Sequence, residues 1–152
     1  MDSILMNLNQ VVLITGLAIE SIYDIRFKRI PLWIFFAMAG LGSITGIIFW
    51  IVNSTDIKSA VISRAIAVVV GLILIFISRL SNEAIGYGDS LTLTIIGLFM
   101  GIEILLQVLL TSISIAGAVG LVFLLFFRKS RKYQLSFVPF IFVSYVILRF
   151  LK

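Results

Sequence analysis

The sequence contains no cysteine and no histidine. Thiolate and imidazole are thereby removed from its chemistry: no Cys–His or Ser–His nucleophile system can be built, and a metal could be held by oxygen ligands alone. Charge is scarce as well. Asp, Glu, Lys and Arg make up 12% of the residues, about half of the ~25% usual in soluble domains. No run is long and polar enough to form a separate soluble domain of roughly 100 residues. What the chain has instead is apolar surface, with 61% of its 152 residues hydrophobic. These proportions predict an all-α, polytopic membrane protein, with residues 1–152 forming a single integral-membrane domain. The first apolar stretch follows "MDS" with no basic region before it and no small-residue cleavage site after it, so the first helix is expected to be retained.

A helix needs about 20 residues to cross a hydrocarbon core of roughly 30 Å. Six segments approach that length. The first three cover residues 4–23, 30–52 and 60–80, and the last covers 135–151. Between them, residues 91–127 form a run of 37, too long for one crossing, and "MGIE" at 100–103 is the natural break into a fourth and a fifth segment. The connections "DIRFKRIP", Arg79 with "SNEAIGYGD", and "RKSRKYQ" then share one face of the membrane, and they hold Arg26, Lys28, Arg29, Arg79, Arg128, Lys129, Arg131 and Lys132. The positive-inside tendency makes that face cytoplasmic and points both termini outward. Topology accounts for the clustered cations behind the net charge of +5, so a nucleic-acid partner is not expected; "RKSRK" reads as an anchor to anionic inner-face lipid. Trp33, Trp50, Tyr23 and Tyr133 fall near span ends, where aromatic belts form. Pro31 is expected in the first turn of the second helix. No internal repeat or low-complexity linker is present.

Two acids stand out against this background: Asp24 at the cytoplasmic end of the first segment, and Asp89 at the cytoplasmic start of the fourth. An ionisable group at membrane depth is costly and ordinarily faces a wet cavity or a partner. The apolar run from 91 to 102 is 12 residues, too short to cross, so the fourth segment must draw "GYGD" itself to membrane depth. Irregular backbone is tolerated there only when buried in protein or lining a cavity. Gly86 and Gly88 would permit positive φ and let another chain come close without a Cβ in the way. Two neighbouring carboxyls cannot both ionise easily, so they share a proton, one acting as base and the other as acid. Such a pair can activate water against a carbonyl and needs no metal or cofactor. Glu20, four residues before Asp24 and on the same helical face, is a possible third acid, or the partner of a cation or polar neighbour. Glu83 and Asp56 read as solvated loop charges, Glu103 as a marker of the outer end of the fourth segment, and Asp2 as terminal.

Two motifs resemble those of the type IV prepilin peptidases, membrane aspartic proteases with a GxGD motif. "YDIRFKRIPLW" looks like the family's first motif, with Asp24 in the catalytic place. "GYGDSLTL" looks like the second, with Asp89 as the other catalytic aspartate and Gly86, Tyr87 and Gly88 as supporting residues. "FVPFIFVSYV" is similar to the proline and phenylalanine stretch of the family's last helix, here Pro139 and Phe140. The resemblance implies a six-helix membrane fold and removal of a short basic leader from pilin-like or archaeal flagellin-like precursors at the cytoplasmic face. Leu32 stands where the family commonly has Asn, and Leu91 where a Lys is common. Longer members carry a cysteine-bearing N-terminal segment and methylate the new N-terminus; without cysteine, no methyltransferase activity is expected of this chain.

Presenilin-like and signal-peptide peptidases share the "YD" and GxGD patterns, but they are larger and carry a Pro-Ala-Leu motif that is absent here. A small proton-coupled transporter or channel subunit could also use Asp24 and Asp89. Such proteins usually show interrupted helices in symmetric halves, and this sequence has no such symmetry.

Overall fold

In the computed structural model the chain forms six helices: α1 (Asp2–Phe27), α2 (Leu32–Val52), α3 (Ile57–Leu80), α4 (Tyr87–Met100), α5 (Ile102–Phe127) and α6 (Val138–Phe150). The structure describes residues 2–28, 31–52, 57–80, 86–127 and 136–150, with only the backbone described for 2–8, 46–52, 57, 124, 126 and 127. Among the described residues there is no strand. Arg29, Asp56, Glu83, the cationic run at 128–132 and Tyr133 lie outside the described residues, as do the side chains of Asp2 and Trp50.

Local chemistry sets the helix ends. Beyond Phe27 the chain turns left-handed at Lys28, with φ 49, and the Lys28 N–H closes on the Asp24 carbonyl at 3.0 Å, an end of the αL type. Asp24 therefore lies inside the last turn of α1 instead of beyond a helix ending at Tyr23. Pro31 stands one position ahead of α2, not within it, and its carbonyl accepts the Ile34 N–H at 3.1 Å. At the "MGIE" break, Gly101 has φ 85, a conformation that side chains resist, and a Cβ there would come within 2.6 Å of Ser63 Oγ. The same Ser63 oxygen accepts the Ile102 N–H at 3.2 Å, satisfying one donor at the start of α5. α6 begins at Val138, later than the predicted 135, with Pro139 in its first turn, where a missing N–H removes no intrahelical bond.

Helix α4 is the axis of the bundle and packs against all five other helices. Around it α1 packs on α2 and α6, α6 on α5, and α5 on α3, whereas among the described residues α2 and α3 do not pack along one another. The buried core gathers Leu13 and Leu17 of α1, Phe35 of α2, Ile96 and Phe99 of α4 and Ile141 of α6. Close approach of α3, α4 and α5 depends on small residues: a Cβ on Gly97 would stand 2.8 Å from the Ala67 Cβ and 2.6 Å from Leu105 Cδ1. In lipid, where apolar burial drives association weakly, such close packing is what holds helices together.

Many large apolar side chains lie on the outer surface of the described residues. Ile62, Ile66, Val69, Ile73 and Phe76 recur at helical spacing along α3, and all are exposed, as expected of a lipid-facing stripe and not of a soluble protein. Among the described residues, two helices contain stretches long and apolar enough to cross a membrane, Lys58–Leu80 with 23 residues and Ile102–Phe123 with 22. Six crossings were expected from the sequence. Helices α4 and α6, with 14 and 13 residues, are each roughly 20 Å long and fall short of a full crossing by themselves.

Candidate active site

Asp24 and Asp89 come from opposite ends of their helices, Asp24 from the last turn of α1 and Asp89 from the first turn of α4. The two helices meet with Glu20 of α1 against Thr92 of α4, which brings the last turn of one alongside the first turn of the other. The two aspartate carboxyls consequently lie within electrostatic reach of each other. Both are half-buried.

The glycine before Asp89 acts differently from the sequence expectation. Gly86 is the N-cap of α4 with φ −57 and ψ 130, a backbone that any residue can adopt. Its lack of a side chain is used for space: a Cβ would run into Asp89 Oδ2 and stand 3.0 Å from Asp89 Cγ. The Asp89 carboxyl thus folds back over Gly86, and the chain that comes close to this glycine is its own. Gly88 is helical, in the first turn of α4, and Gly101 is the glycine found at positive φ among the described residues. Positive φ is therefore not what the GYGD glycines provide.

Asp24 is held by the start of α6. The Val138 backbone N–H donates to its carboxylate, and the Lys28 charge also acts on it; Asp24 Oδ2 is buried without a hydrogen-bond partner. The Ser136 hydroxyl donates to the Asp24 carbonyl at 3.2 Å. Pro139 suits the first turn of α6, since its ring presets φ there, and the Val138 N–H, as a first-turn donor without an intrahelical partner, is free to reach the Asp24 carboxylate. Sequence reasoning singled out Pro139 but missed Ser136 and the Val138 amide. A hydroxyl residue shortly before a proline-marked helix start is a recognisable cue, although here the hydroxyl serves α1 and not its own helix.

Glu20 is 1% exposed. Its Oε2 lies 3.0 Å from Thr92 Oγ1, and the same hydroxyl oxygen lies 3.0 Å from the Gly88 carbonyl. Glu20 thus has a polar neighbour in Thr92. Ser90, also fully buried, places its hydroxyl 3.4 Å from the Leu74 carbonyl of α3. Thr92 and Ser90 were not foreseen; their only sequence signal is their nearness to Asp89 along one helix. Tyr87 turns toward α3, its ring centroid 5.9 Å from the Arg79 guanidinium carbon, so it braces the turn against α3 through a cation–π contact. Leu32 is exposed and Leu91 packs on the core. Glu103, at the start of α5, stands at the opposite end of α4. Among the described residues no three acidic side chains are grouped closely enough to hold a metal.

The site thus unites Asp24, Asp89, Glu20, Gly86, Gly88 and the Pro139 turn at one end of the bundle. Two carboxyls within electrostatic reach of each other, near the buried hydroxyls of Ser90 and Thr92, could together hold a water molecule and exchange protons with it. In comparison with known proteins, the sequence model described as the type IV leader peptidase family matches residues 11–125. No curated protein and no solved structure gave a match.

Proposed function

The chain belongs to the type IV leader peptidase family, and from that premise we propose that it is an aspartic endopeptidase which removes the basic leader from pilin-like or flagellin-like precursors at the cytoplasmic face of the membrane. The reading is carried by one observation: the two acids of its motifs, 65 positions apart in sequence, lie within electrostatic reach of each other. In this mechanism the ionised member of the pair takes a proton from water as the water oxygen bonds to the scissile carbonyl carbon. The other member gives its proton to the carbonyl oxygen. The tetrahedral adduct then collapses: the departing nitrogen takes a proton from the pair as the C–N bond breaks, and one hydroxyl of the adduct returns its proton to the pair as the C=O bond re-forms, so that one water is consumed and the dyad returns to its starting state. Asp24 and Asp89 are the catalytic residues; Gly86, Gly88, Tyr87 and Pro139 support them, and no metal or cofactor enters.

The test is leader release from a pilin-like precursor by membranes containing the protein, followed by mass, beside Asp24→Asn and Asp89→Asn. Release by the wild type with at least a 1000-fold loss in each variant, on the order of what removing a reacting group costs, is the expected result. Comparable rates in either variant would sink the dyad. No release from several precursors by folded protein would favour a proton pathway through the same two acids.

A further inference from the structure

One more acid stands where bulk water does not reach it. Glu20 lies one helical turn from Asp24 along α1, and Thr92, itself fully buried, lies one turn from Asp89 along α4. The Thr92 oxygen is 3.0 Å from Glu20 Oε2 and 3.0 Å from the Gly88 carbonyl oxygen. A threonine hydroxyl has one proton to give and lone pairs with which to accept. The Gly88 carbonyl can only accept. Were Glu20 a carboxylate it also could only accept, and one proton would have to serve two acceptors. With a proton on Glu20 each contact has its donor: Glu20 donates to Thr92, and Thr92 donates to Gly88. Glu20 Oε1 is buried with no hydrogen-bond partner, which a neutral acid tolerates far better than an ionised one. The ionisable groups on the elements packed against α1 are Tyr87 and Asp89 of α4 and Tyr145 and Arg149 of α6, with none on α2; on α1 itself Tyr23, Asp24 and Arg26 are nearest in sequence.

We propose that Glu20 is a positioning residue: as a neutral acid it fastens, through the Thr92 hydroxyl, the Gly88–Asp89 backbone of α4 to the helix that carries Asp24, and so sets how closely the two aspartates approach. This rests on the dyad reading above. Gly88 precedes Asp89 directly, so a bond that holds its carbonyl also holds the turn from which the Asp89 carboxyl folds back.

The experiment uses the full chain in detergent, with Glu20→Gln, Glu20→Leu, Thr92→Val, Thr92→Ser and the Glu20→Leu/Thr92→Val double variant. Leader release is measured as kcat, KM and a pH profile, and thermal unfolding is followed in parallel. A glutamine can donate to Thr92 as the neutral acid does, so Glu20→Gln should keep kcat within about threefold and leave the pH profile superimposable. Glu20→Leu and Thr92→Val should lower kcat on the order of 10- to 100-fold, as small misplacements of reacting groups do, with KM within about twofold. Thr92→Ser should restore most of the rate, and the double variant should be little worse than either single one. A displaced pH profile or lost cleavage in Glu20→Gln would make Glu20 a titrating member of the site and overturn the proposal; so would a full rate in Thr92→Val. Should Glu20→Leu fail to fold, Thr92→Val against Thr92→Ser decides the matter. If the wild type itself releases no leader, the dyad reading fails separately, and the melting shifts decide the fastening: non-additive shifts at positions 20 and 92 sustain it, additive ones overturn it.

Discussion

Gly86 is a glycine because of Asp89. Its backbone is ordinary, yet the space of its missing Cβ is filled by the Asp89 carboxyl. Gly86→Ala should therefore push the carboxyl out of place with little effect on the backbone: kcat for leader release falls on the order of 100-fold, while the unfolding midpoint stays within about 3 °C. A variant that cleaves at the wild-type rate would show that the carboxyl does not need this position. At this scale the sequence was legible where charge was conspicuous. Asp24 and Asp89 stand out because acids are costly in apolar surroundings. Glu20 could be placed on the face of Asp24 by counting along a helix, but its partner Thr92 is 72 positions away, and no local spacing reports that distance. The Val138 amide was invisible for another reason, since a backbone donor has no identity in the sequence at all.

Among the elements, the junction between α4 and α5 was readable and the start of α6 was not. Gly101 announces a break because a largely apolar run of 37 residues exceeds any single crossing and contains one place where a glycine precedes an acid. By contrast Leu135 and Phe137 continue the apolar pattern of α6 upstream, so composition could not show that Ser136 and Phe137 stand outside the helix. Helix α1 outran its expected end because "DIRF" is compatible with helix, and long cationic side chains can carry their charge outward. Tight packing of α4 against α3 and α5 predicts the effect of filling it. Gly97→Ala would place a methyl against Ala67 and Leu105, an overpacking that costs about 1–3 kcal/mol. It should lower the thermal midpoint in detergent while leaving kcat nearly unchanged below that midpoint, because position 97 lies two helical turns from Asp89. A midpoint equal to wild type would mean that the helices separate there without penalty.

For the whole molecule, the absence of cysteine makes orientation measurable. Single cysteines replacing Arg26 and Glu103 can be labelled with a membrane-impermeant thiol reagent in an otherwise thiol-free chain. The proposed topology expects labelling at position 103 in intact cells, and at position 26 only after permeabilisation; the opposite pattern would place the carboxyl pair on the outer face. The chain should also stay in the membrane pellet through alkaline carbonate extraction, and its release would contradict the exposed apolar stripe of α3.

The central place of α4 bears on how the protein is assembled. Helices α1 and α2 pack on each other, and α3 joins α4 and α5, but among the described residues α2 and α3 do not pack along one another. The first three helices share α4 as a common packing partner, each of them packing against it. Asp24 belongs to the earlier group and Asp89 to the later one, so neither half contains a complete pair of acids. On the proposed dyad, the docking that closes the fold is also what completes the site, so a chain with only its first helices in place would lack one of the two acids.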